Sequence, residues 1–154
     1  MSTAILKHHR NIYDLIKFTP VALHQRMFHF YLNLEACELN WSGTVMARWN
    51  LMQSPQSMRD LRSKIPYVPN GGFHFSYVGG AKRVMEKLNN TADGYECKSA
   101  EEAEAVIKEC LSTGKGSLNH SDGKYCLIKP EKLGLEQGIL DYIKGNYGYL
   151  LYDL

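Results

Sequence analysis

Apolar and polar positions alternate along this chain in two distinct periods, and turn residues separate the segments that carry them. From Ser99 to Leu111, Ala103, Val106, Ile107, Cys110 and Leu111 fall at i, i+3, i+4, i+7 and i+8, which is one face of a helix. Ser99 and Glu102 have the spacing of a capping box, and Gly114-Lys115-Gly116 ends the segment. An earlier helix is expected from Ile5 to Phe18. It rests on a partial stripe of Ile5, Ile12, Leu15 and Ile16, and Thr19-Pro20 stops it. Val21 to Leu34 is rich in Val, Leu, Phe and Tyr and reads as a strand. Asn40 to Trp49 reads as a second strand with a bulge at Ser42-Gly43, and the short linker between the two suggests a hairpin.

The remaining segments follow the same logic. Ser54 is suited to cap a helix that runs to about Lys64, with Pro55 at its first position. Pro66, Pro69, Asn70, Gly71 and Gly72 form a loop, Phe73 to Val78 a short strand, and Gly79-Gly80 leads into a helix to about Leu88. Asn89 to Gly94 is a turn. Tyr125 to Ile128 reads as a strand and Leu135 to Lys144 as a last helix, after which the aromatic end, Tyr147 to Leu154, docks as a strand or final turn. The mixture predicts an α/β or α+β fold in one domain, residues 1–154, with a small mixed sheet flanked by helices.

Composition narrows the function classes. Hydrophobic residues make up 44% and charged residues 22%, and the net charge is +2 with no basic run, so nucleic acid is not implied. No apolar stretch approaches the roughly 20 residues that a membrane helix needs. The N-terminal residues lack the apolar core of a signal peptide, and the three N-x-S/T sequons, at Asn40, Asn89 and Asn119, are then chance matches. Cys37, Cys97, Cys110 and Cys126 have no metal or redox spacing and are expected as four free thiols in a reducing compartment. Cytoplasmic location follows from the missing signals, or membrane association if an anchor preceded this segment.

The most unusual stretch is Pro69-Asn70-Gly71-Gly72-Phe73-His74-Phe75-Ser76-Tyr77-Val78-Gly79-Gly80. In a strand, Phe73, Phe75 and Tyr77 share one face and enter the core, while His74 and Ser76 share the other and face a cleft. Gly79-Gly80 at a helix N-terminus, with Lys82, Arg83 and Lys87 nearby, would suit the diphosphate of a nucleotide sugar. His74 could ligand a metal on that diphosphate. On spacing alone the plainer reading outweighs this one: glycine pairs serve tight turns, and strand histidines occur as hydrogen-bonded core residues.

Residues Gly71 to Gly80 resemble the signature of glycosyltransferase family 17, usually written GGWHFSYLGG, and Glu86-Lys87-Leu88 resembles the end of the helix that follows it. Upstream, Pro20-Val21-Ala22-Leu23 through Tyr31-Leu32-Asn33 is similar to a family strand. Trp41-Ser42-Gly43-Thr44 is similar to its W-x-G-T element, and Pro55 to Arg62 to an arginine-bearing helix. The order of these elements, from about Ile5 to Leu88, is the family's.

The resemblance implies a partial GT-A-like fold and inverting transfer of N-acetylglucosamine from UDP-N-acetylglucosamine to a mannose-containing glycan, with a divalent metal, Mn or Mg. It implies donor and phosphate contacts from Gly71, Gly72, His74, Ser76, Gly79, Gly80, Lys87, Arg59 and Arg62, acceptor contacts from Trp41 and Thr44, and metal ligation by His74. Departures accompany it. Phe73 stands where the family has tryptophan, residues 89–94 lack the family's serine-histidine-acid element, and Tyr95 to Leu154 matches weakly. The acidic D-x-D-E-I-P element, expected ahead of the first helix, is also missing. The expected consequences are absence of the donor-binding segment and a partner, either a separate N-terminal half or a second copy, covering an exposed sheet edge. No carboxylate stands out as general base; Glu35 and Glu38 read as surface acids. A non-catalytic sugar- or nucleotide-binding module is the second reading, and an unrelated α/β domain with a coincidental loop the third.

Overall fold

The computed structural model describes residues 9–39, 41–52, 54–90, 98–116 and 123–152. The fold mixes helices and strands in two compact units, residues 1–27 with 40–74 and residues 28–39 with 75–154.

The first unit is built on strand β1, Val21–His29, of which it takes the part up to Met27. Strand β3, Trp41–Met46, pairs with β1 antiparallel, Val21 opposite Met46 and Leu23 opposite Thr44. The next pair is Gln25 with Trp41, so two steps along β1 oppose three along β3. The extra residue lies at Ser42-Gly43, and the predicted bulge is present. The loop after Pro66 contains a short strand that the sequence did not reveal, β4, Tyr67–Val68, which runs parallel to β1 with Ala22 opposite Tyr67. The sheet is therefore mixed, as expected.

Helix α1, His9–Leu15, packs Ile12, together with Ile16 beyond its end, on Val21, and Met46 and Val68 close the cluster. Ile5 and the rest of that helix's predicted start lie outside the described residues. Helix α2, Pro55–Leu61, begins as predicted: Pro55 is in the first turn, and the Ser54 Oγ accepts the Ser57 amide at 3.0 Å.

In the second unit the expected strand from Val21 to Leu34 is broken. Phe30 takes φ 65°, a strained value for a bulky residue. The tertiary structure holds it there: its amide donates to the Ser76 carbonyl at 3.3 Å, its carbonyl accepts the Gly79 amide at 3.1 Å, and its ring is fully buried. The chain then re-enters as β2, Leu34–Ala36, inside what was read as the linker of a hairpin. Strand β2 pairs with the end of β1, Phe28 opposite Glu35, and with β7, Gly123–Leu127, Ala36 opposite Tyr125. Strand β6, Lys115–Gly116, extends β7 on its other side.

Strand β5, Phe73–Ser76, ends in this unit and leads to α3, Gly80–Asn89. Helix α4, Ala100–Thr113, carries the predicted stripe, burying Ala103, Ile107 and Cys110. Ser99 caps it by accepting the Glu102 amide at 3.2 Å, and the Glu102 carboxylate accepts the Lys98 amide at 2.6 Å. Gly114 ends it at φ 67°. Helix α5, Gln137–Tyr147, buries Leu140, and the tail beyond it docks through Asn33, whose side chain bonds the Tyr152 carbonyl and amide at 2.9 and 2.8 Å. The turn expected beyond Asn90 and the sequons at Asn40 and Asn119 fall outside the described residues, as does Cys97.

The four-thiol expectation is corrected. Cys37 and Cys126 form a disulfide across 89 residues. Pairing of β2 with β7 brings their Cα atoms to 5.9 Å, a juxtaposition that no local spacing announces. Cys110 is free and buried, as predicted. Among the described residues no helix is long and apolar enough to cross a membrane.

Candidate functional site

The first glycine pair of the signature lies in the first unit and serves backbone contact with β1. The Gly71 amide donates to the His24 carbonyl at 2.6 Å, and the Gly72 carbonyl accepts the Arg26 amide at 3.0 Å. A Cβ at Gly71 would lie 2.6 Å from the Leu23 Cβ and 3.0 Å from its Cα. Gly72 sits at φ 130°, where a side chain is strained.

The part of the signature in the second unit, Phe75 to Gly80, corrects the expected facing. Phe75 is 43% exposed, whereas Ser76 is only 5% exposed. The polar residue is inside because it has a partner. The Lys87 Nζ donates to the Ser76 Oγ at 2.6 Å while standing 4.0 Å from the centre of the Tyr77 ring. The ammonium thus meets both a hydroxyl oxygen and an aromatic face. Tyr77 turns the chain at φ 59°, and Gly79 and Gly80 follow at 112° and 78°.

The phosphate cradle expected at this helix start is mostly committed elsewhere. The Gly79 amide is bonded to Phe30, Lys87 to Ser76, and the Arg83 guanidinium to Glu86 at 2.6 Å. Lys82 remains exposed.

The sequence-predicted residues that do gather lie in the first unit. The Arg62 guanidinium stands 4.7 Å from the centre of the Trp41 ring, and the His74 ring lies 5.3 Å from Trp41 at 41°. The bulge directs this arrangement: a Cβ at Gly43 would run into the Trp41 indole nitrogen, so only glycine lets the indole fold over the strand. The indole Nε1 is buried with no hydrogen-bond partner. Thr44 donates its hydroxyl to the Gln25 Oε1 at 3.4 Å.

Arg59 and Arg62, one helical turn apart, take different neighbours. Arg62, at the C-terminal cap of α2, covers Trp41, whereas Arg59 lines a groove between β3 and α2. Ser76, Gly79, Gly80 and Lys87 belong to the other unit.

Metal ligation gains no support here. His74 packs on an indole, and among the described residues no three His, Cys, Asp or Glu side chains are grouped to hold one ion. Glu38 is a surface acid as read, 3.7 Å from Lys124 with both side chains exposed.

His24 stacks flat on Tyr67 at 3.7 Å. His29 is buried, its Nδ1 2.9 Å from the Tyr125 hydroxyl. A histidine on a run of buried strand residues is the only local signal; Tyr125, 96 residues away, gives none. Burial, with Glu109 adjacent, pushes the Cys110 thiol from an ordinary 9.0 up to about 11. Burial likewise raises the Tyr31 phenol, with smaller contributions from Tyr152 and Glu104.

Compared with protein-family models, curated proteins and solved structures, the chain matches none.

Proposed function

We propose that this chain is the carbohydrate-recognising portion of a family 17 type glycosyltransferase, one that moves N-acetylglucosamine from UDP-N-acetylglucosamine to a mannose-containing glycan. The observation that carries the reading is the Arg62–Trp41–His74 cluster, at 4.7 and 5.3 Å, built from the W-x-G-T element, the arginine helix and the signature strand. A partly exposed indole offers an apolar surface to a sugar ring, and the guanidinium and imidazole offer fixed donors to its hydroxyls. Thr44 sits on the same strand. The donor's divalent metal belongs to this reading through the family's acidic element and not through the described residues. A partner carrying that element, or a second copy, would cover the outer edge of β3, which pairs only with β1 among the described strands.

A second reading is binding without transfer. It draws support from the lack of any metal-holding group of side chains among the described residues. Release of UDP separates the two.

The test is a thermal-shift titration of the purified chain with a mannose trisaccharide and, separately, with UDP-N-acetylglucosamine with and without manganese. Binding to the native state raises the melting temperature. A rise with the trisaccharide that Arg62→Ala and His74→Ala each reduce supports recognition, and UDP release on adding donor supports transfer. No shift with either ligand at millimolar concentration sinks both readings.

A further inference from the structure

The groove between β3 and α2 meets the tryptophan cluster at Gly43 and is built differently. It has a volume of about 490 Å³, within the range of small-ligand sites. Its floor is β3 at Gly43 and Val45, and its walls are Met46, Met52 and Met58. Three of the chain's six methionines therefore line one groove. Met58 is buried from the α2 side, and Met52 is 37% exposed. Thioether side chains are unbranched and polarizable, so they mould to a flexible aliphatic ligand better than branched residues do.

Among the described residues, Arg59 supplies the only charge in this lining. Its guanidinium has no ion-pair partner among the described residues, whereas the neighbouring acid, Asp60, accepts from Gln56 at 2.8 Å. A single cation without an ion-pair partner among the described residues, beside methionine and valine side chains, is complementary to a molecule with an apolar body and one anionic end.

We propose that this groove binds a single-chain amphiphile, a linear alkyl chain ending in phosphate, taken up as a monomer from solution. The chain lies along Gly43 and Val45 between the methionines, and the phosphate pairs with Arg59. A membrane surface presenting phosphate headgroups is the competing source of the same chemistry, and the test separates them.

The experiment titrates the full chain, with its methionine methyls ¹³C-labelled, with decyl phosphate below its micellar concentration, with decanol, and with phosphatidic acid vesicles. Decyl phosphate is expected to saturate at one per chain and to shift the Met46, Met52 and Met58 methyls while leaving Met85, in the other unit, unmoved. Arg59→Gln, a change on an exposed helix face, is expected to weaken decyl phosphate about tenfold, the scale of losing a charge-assisted bond, and to leave decanol unchanged. The proposal is overturned by no movement of the three groove methyls at millimolar decyl phosphate, by equal binding in Arg59→Gln, or by binding to vesicles alone.

Discussion

Replacing Cys37 and Cys126 by serine perturbs the longest-range covalent constraint in the chain. The two residues are 89 positions apart, so the bridge closes a large loop in the denatured ensemble. In the chain-entropy description, that closure removes about 15 cal/mol/K of denatured-state entropy, which corresponds to about 4.6 kcal/mol of stability near room temperature. Natural bridges deliver about 2–5 kcal/mol when removed. With a urea slope of about 2 kcal/mol/M for a chain of this size, the unfolding midpoint should fall by about 1–2.5 M. The native pairing of β2 with β7 should survive, because Leu34, Ala36 and Tyr125 remain buried without the bridge. The assay is urea unfolding followed by far-ultraviolet circular dichroism, on the oxidised chain and the double serine variant. Peptide mapping without reduction accompanies it, and should recover the segments holding Cys37 and Cys126 as one linked species. Coincident midpoints, or alkylation of both cysteines in the unreduced native chain, would refute the reasoning.

Other outcomes follow from the same structure. Gly71→Ala should destabilise by about 1–3 kcal/mol, since the added methyl would meet the Leu23 Cβ at 2.6 Å; thermal unfolding checks this. Ile107→Ala, at a position 4% exposed, should cost about 2–5 kcal/mol, read by urea unfolding. Lys87→Met should cost about 1 kcal/mol by stranding the buried Ser76 hydroxyl, and a double-mutant cycle with Ser76→Ala should show the two effects to be coupled. For Cys110, the folded thiol titrates near 11 and the unfolded one near 9.0. The folded state thus holds its proton more tightly, and the associated stability is complete below pH 9 and is lost as pH rises through about 11. The stability difference between wild type and Cys110→Ala should narrow across that window.

The signals legible in the chain are those whose cause lies within a turn or two. The helix from Ser99 is specified by its own apolar spacing, a hydroxyl that accepts an amide three residues on, and a glycine free to take φ 67° at its end. The start of α2 at Ser54-Pro55 and the bulge at Ser42-Gly43 are local in the same way. Each side chain there acts on backbone that it cannot escape, so the outcome is written into neighbouring residues. The mixed fold class follows from adding such segments together.

Only the tertiary structure decided the rest, because the deciding partner in each case is far away in sequence. Strand alternation placed Ser76 outward, yet the Lys87 ammonium, 11 residues on, reverses the choice by satisfying its hydroxyl in the interior. Phe30 carries no sign of a break, since its positive φ is sustained by Ser76 and Gly79 from another segment. The pairing of β2 with β7 selects Cys37 and Cys126 from four equivalent-looking thiols. Of the candidate site, the sequence named Trp41, Arg62 and His74 but assigned them to different ligands, and neither their gathering nor the different neighbours of Arg59 and Arg62 could be read from motif order. Which way each points depends on where α2 meets β3, a packing outcome set by apolar surfaces along the whole unit.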